Sequence, residues 1–116
     1  MPVMIQTAGL KTKGRPWILG PSAAENAVVL NARTLPNPHG KVTSSAPDRM
    51  KQIKAFLMDK APDKVDRLVK RGCAAVDANR PVVVVCMYGR DRSRAIAELI
   101  GERFHCSKVY FVHREK

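Results

Sequence analysis

The stretch Pro81-Val82-Val83-Val84-Val85-Cys86-Met87-Tyr88-Gly89-Arg90-Asp91-Arg92-Ser93-Arg94 decides how this chain is read. Four consecutive valines suit a strand buried on both faces, as in a parallel sheet, because a half-exposed strand would alternate with polar residues. A glycine-containing loop follows, and from Arg92 onward Ile96, Leu99, Ile100 and Phe104 recur at helical spacing up to residue 104. Residues 108–113 then read as a last strand, so this half of the chain is a strand–helix–strand unit with a right-handed crossover.

Upstream, residues 3–8 read as a short strand and residues 27–30 as a second apolar run. The first leads into a loop with three cations and two glycines, and the second into Asn31-Ala32-Arg33-Thr34-Leu35-Pro36-Asn37-Pro38-His39-Gly40, where two prolines forbid a continuing helix or central strand. Residues 40–47 read as a surface connection. Met50, Ile53 and Leu57 predict a helix over about 48–59, with Ser45 or Asp48 as its cap. Pro62 suits the first turn of another, ending near Asn79, with Val65, Leu68, Val69, Gly72 and Val76 on one face and Lys64, Arg67, Lys70 and Arg71 opposite. The expected fold is a single three-layer α/β domain over residues 1–116, with a short, mostly parallel sheet flanked by helices and residues 82–86 at its centre.

The 116 residues leave room for one domain, and 45% hydrophobic with 27% charged residues is globular composition. Lys and Arg number 21 against 10 Asp and Glu, a net charge of +11, which favours anionic partners: nucleic acid, phosphorylated small molecules or an acidic surface. No apolar run approaches the roughly 18 residues that a bilayer crossing needs. The first residues lack a basic leader and a cleavage site, so the expected setting is cytoplasmic, without membrane partners. Cys73, Cys86 and Cys106 have no C-x-x-C spacing, and His39, His105 and His113 have no ligand spacing among themselves or with the cysteines, so neither a metal nor another cofactor is expected.

The chemistry concentrates in the loop. A short turn between a buried strand and a helix can aim successive backbone N–H groups into one concavity at the positive end of the helix dipole. Arg92 would close that cradle with a planar, bidentate guanidinium, Cys86 would sit at its base, and Ser93 would hydrogen-bond the thiol or cap the helix. The C-x5-R-S spacing resembles that of the Cys-based protein tyrosine phosphatases, which implies phosphate binding. Turnover would use Cys86 as nucleophile and Arg92 as clamp. It also needs a general acid, and here Val85 replaces the usual His before the Cys, no acidic loop follows, and Asp91 is expected to pair with Arg90 or Arg94. Binding is therefore the first expectation and a Cys-dependent phosphatase the alternative.

Four blocks carry a second resemblance. Thr7-Ala8-Gly9-Leu10-Lys11-Thr12-Lys13-Gly14-Arg15-Pro16, residues 31–38, residues 86–98 and Val112-His113-Arg114 are similar in order and spacing to the C-terminal domain of the RapZ family of RNase adapters. The resemblance implies a small α/β domain that binds a phosphorylated amino sugar in the loop, self-associates, and helps to present a small regulatory RNA to a ribonuclease. No G-x-x-x-x-G-K-[ST] occurs, so ATP binding is not implied. Carried over, the ligand site comprises Cys86, Met87, Tyr88, Gly89, Arg90, Asp91, Arg92 and Ser93, with Arg33 and His39 at the Leu-Pro-Asn-Pro turn and His113 on the last strand. This chain has Tyr88-Gly89 and Asp91 where family members usually have a Gly-Gly pair and a His.

Nucleic-acid contacts are expected from Lys11, Lys13, Arg15, Lys108, Arg114 and Lys116. The Lys64/Arg67/Lys70/Arg71 face fits either an RNA backbone or plain solvated surface, because Asp63, Asp66 and Asp77 are interspersed. At 5% aromatic residues, stacking platforms are scarce, and such binding would be chiefly electrostatic.

Overall fold

The computed structural model describes residues 2–9, 26–38, 48–86, 91–105 and 107–114. Four strands form one sheet: β1 (Val3–Gly9), β2 (Val28–Asn31), β3 (Val82–Cys86) and β4 (Val109–Arg114). Among the described residues three helices follow β2, α1 (Arg49–Lys60), α2 (Pro62–Asp77) and α3 (Arg92–Gly101), with a 3-10 turn at Ala32–Thr34 directly after that strand. The strand order is β2-β3-β1-β4, and every pairing is parallel. The fold is thus α/β, and all four strands end on the same edge of the sheet.

All five residues of β3 are buried, as a valine run in the sheet interior requires. Val82, Val84 and Cys86 face the helices and join Ile5, Leu30, Ile53, Leu57, Val76, Ile96 and Ile100 in one core. Val83 and Val85 point to the opposite side, where they pack with Ala27. The described helices share the first of these faces. The further helical layer expected on the Val83 side lies outside the described residues, as do the loops at 10–16, 40–47 and 87–90.

Local chemistry sets the helix ends. Asp48 occupies the N-cap of α1 but makes no side-chain cap bond. At the end of α2, Asn79 takes a positive φ of 58°, its N–H reaches the Val76 carbonyl at 2.9 Å, and the Arg80 N–H reaches the Ala75 carbonyl at 2.8 Å. This is the paired closure by which a left-handed residue stops a helix, and Asn tolerates that conformation better than other side-chain-bearing residues. Helix α3 stops at Gly101, short of the expected residue 104, because the next N–H groups turn to tighter bonds: Arg103 to Ile100 at 3.2 Å and Phe104 to Gly101 at 3.0 Å.

Lys54 of α1 binds Glu98 at 2.8 Å and Glu102 at 3.1 Å, fastening α1 to α3. Burial opposes its charge, but the two carboxylates more than offset that and raise its pKa above the ordinary 10.5. The stabilisation is therefore present below pH 10.5 and fades only as pH rises through the higher folded-state value. Among the described residues, no helix is long and apolar enough to cross a membrane.

Candidate anion-binding site

Parallel strands deliver their C-terminal ends to one rim, and open α/β sheets bind ligands there. Register places Gly9 beside Cys86 and Asn31 beside Val85, with Thr7 opposite both Val84 and His113. The turn after β2 and the first turn of α3 meet at this rim, and side chains from both contribute to the site.

Cys86 ends β3 fully sheltered, and its thiol donates to Ser93 Oγ at 3.3 Å, a contact buried beneath the first turn of α3. Ser93 thus turns inward to the thiol, one of the two roles its position allowed. Arg92, at the first position of α3, reaches across to the β2 side. Its Nη1 donates to the Arg33 carbonyl at 3.0 Å and to the Leu35 carbonyl at 3.1 Å. One nitrogen of the guanidinium therefore spans the two segments, while Nε and Nη2 have no partner among the described residues. A planar fork held at one tine keeps its orientation and offers the remaining N–H groups to an oxyanion.

Arg33 is itself held. Asn31 Oδ1 accepts from its backbone N–H at 2.9 Å and from its Nε at 3.3 Å, so the side chain that caps the 3-10 turn also steers an exposed guanidinium.

The Asp91 carboxylate is forked onto Arg49, a partner the sequence did not suggest, with Nη1 on Oδ1 and Nη2 on Oδ2 at 2.9 Å; the expected partner Arg90 lies outside the described residues. Spatial position decides this, because the first turns of α1 and α3 converge although 42 positions separate the partners. The hydrogen bond to Asp91 is the main reason that the Arg49 pKa is raised from its ordinary value, burial opposing it, so the guanidinium stays charged at any ordinary alkaline pH. Both side chains are mostly sheltered, 27% and 17% exposed. Arg49→Ala should therefore lower stability by about 1–2 kcal/mol, less than for a fully buried pair, and Asp91→Asn in the same background should recover part of it. Urea melts of the two single variants and the double variant measure the coupling.

The remaining candidates distribute unevenly. His39, Lys11, Lys13, Arg15, Met87, Tyr88, Gly89, Arg90 and Lys116 lie outside the described residues. His113 and Arg114 close β4 at the same rim by backbone register, and their side chains are not described. Lys108 lies elsewhere: its carbonyl accepts the Val3 N–H at 2.7 Å at the start of β4, on the opposite edge of the sheet from Cys86. Cys73 is half-buried on α2, and burial, aided by Asp77 and opposed by Arg103, pushes its thiol pKa up, away from nucleophilic chemistry. Among the described residues, no three His, Cys, Asp or Glu side chains gather as a metal site would require.

No protein-family model matches this chain, and no curated protein does. The likeness to the RapZ-family C-terminal domain therefore rests on the four blocks of sequence quoted above. Two residues that build the site, Asn31 and Arg49, were not singled out by that reading. Asn31 carries a local signal, an Asx residue opening a turn, whereas Arg49 carries none.

Proposed function

We propose that this domain binds a phosphorylated small molecule, of sugar-phosphate type, at the rim formed by Cys86, Arg92, Ser93 and Arg33, and that its basic surface contacts RNA. One observation carries the reading. Arg92, next in sequence to the serine that meets the buried Cys86 thiol, is fixed by two backbone carbonyls and keeps N–H groups without a partner among the described residues. A preorganised guanidinium costs little ordering when an oxyanion arrives. The net charge of +11 draws such ligands in.

Binding without turnover is favoured because Asp91, the carboxylate nearest in sequence, has both oxygens engaged by Arg49 and so is not poised to protonate a leaving group. The Cys86–Ser93 contact favours the second reading, a Cys-dependent phosphatase, since a serine hydroxyl at 3.3 Å can support a thiolate.

Thermal shift against inorganic phosphate and a panel of sugar phosphates tests the proposal. A ligand at about a hundred times its Kd adds about 2.7 kcal/mol, which is a rise in melting temperature of roughly 10 °C for a domain of this size. The Cys86→Ser protein should keep that shift. No shift with any phosphate would overturn binding, and aryl-phosphate hydrolysis that disappears in Cys86→Ser would establish the enzyme instead.

A further inference from the structure

Helix α2 carries three separate stripes. Val65, Leu68, Val69, Gly72 and Val76 are buried against the sheet. Asp63, Asp66 and Lys70 follow one another at helical spacing, and Lys70 binds Asp66 at 2.9 Å, so the acidic side neutralises itself. Lys64, Arg67 and Arg71 form the third stripe at the same spacing; all three are exposed, and among the described residues none is paired with a carboxylate. The charges that the sequence shows as interspersed are thus sorted in space.

The basic stripe begins at the anion rim. Lys64 Nζ donates to the Thr34 carbonyl at 3.3 Å, and the neighbouring Arg33 carbonyl receives Arg92 Nη1 at 3.0 Å. From Arg92 the cations run through Arg33 and Lys64 to Arg67 and Arg71, the last three covering roughly 10 Å of helix axis. A membrane surface does not suit this stripe, because the apolar face of α2 is already spent on the core. A folded protein partner does not suit it either. Among the described residues the exposed large apolar side chains are Val29, Met58, Tyr110 and Phe111, none of them on α2, so α2 itself offers no desolvated anchor of the kind that protein interfaces need. A row of cations leading away from a single phosphate-sized site fits a strand of linked phosphates.

We infer that the rim and the stripe are one site, which takes the phosphorylated end of a nucleic-acid strand, its terminal phosphate monoester at Arg92 and its backbone along Arg33, Lys64, Arg67 and Arg71. This rests on the phosphate-binding reading of the rim given above.

Fluorescence anisotropy with a labelled 12-nucleotide oligouridylate tests it, in forms with a 5′-phosphate, a 3′-phosphate or hydroxyl ends. One phosphorylated form should bind about tenfold or more tighter than the hydroxyl form, and Arg92→Ala should abolish that advantage. The Arg67→Ala/Arg71→Ala protein should bind every form about tenfold more weakly and reduce the slope of log K against log salt by about 1.4, at about 0.7 per phosphate contact on a single strand. Its thermal shift with inorganic phosphate should be unchanged. Equal affinity for all three forms, or an unchanged double variant, overturns the inference. If inorganic phosphate still stabilises the protein in that event, the rim still binds phosphate; if it does not, that reading falls too.

Discussion

Gly72→Val is expected to destabilise the domain by about 3 kcal/mol, a large part of the 5–15 kcal/mol that holds a typical domain together. A β-carbon at this position would lie 2.2 Å from Ile100 Cδ1 and 2.8 Å from Ile100 Cγ1, with Leu30 Cδ1 at 3.4 Å. Ile100 has no exposed surface, so it has no solvent-side rotamer into which to retreat. Gly72 thus sets how closely α2 approaches α3 and β2. Gly72→Ala should be milder, about 1–2 kcal/mol, because the gain in helix propensity, about 1 kcal/mol, offsets part of the clash. Combining Gly72→Ala with Ile100→Ala should cost less than the sum of the two single changes, since the truncated side chain vacates the space the new methyl needs. Guanidinium melts of the four proteins measure this, and strict additivity would show that the close approach is not what Gly72 provides.

Arg92→Ala should weaken phosphate-ligand binding by roughly 30- to 150-fold, equivalent to about 2–3 kcal/mol for charge-assisted hydrogen bonds. Stability should fall by only about 1 kcal/mol, because the released Arg33 carbonyl lies at an exposed bond where water can replace the guanidinium. Arg92→Lys should not restore affinity: a single ammonium cannot both span the two carbonyls and present a planar pair of donors. Isothermal titration with the tightest sugar phosphate of the panel, run beside a urea melt, separates the two effects. Retained affinity in Arg92→Ala would remove the rim from the proposal.

Much of the fold was legible because it is written in local pattern. The valine run announced β3, helical periodicity announced α1 and α2 with ends within a residue or two, and Pro62 marked where the second begins. The strand order was not legible, since parallel neighbours are distant in sequence and nothing in β1 names β3 and β4 as its partners. At the site the same division holds. Cys86, Arg92 and Ser93 are tied by spacing along one loop and helix turn, so reading along the chain reached them. The Arg49–Asp91 fork and the grip of Arg92 on the Arg33 and Leu35 carbonyls depend on how separate segments meet. Exposed charges on α2 look mixed along the chain, and only their angular position around the axis separates the acidic from the basic.

The placement of β1 between β3 and β4 has a kinetic consequence. Its neighbours on either side enter the chain more than 70 residues later, so on the ribosome the first strand has no permanent mate until nearly the whole domain has been synthesised. With even the β2–β3 ladder joining residues 54 positions apart, and no hairpin among the described residues to nucleate the sheet, its folding should be slow, and the nascent strand is the segment that a chaperone would have to shield.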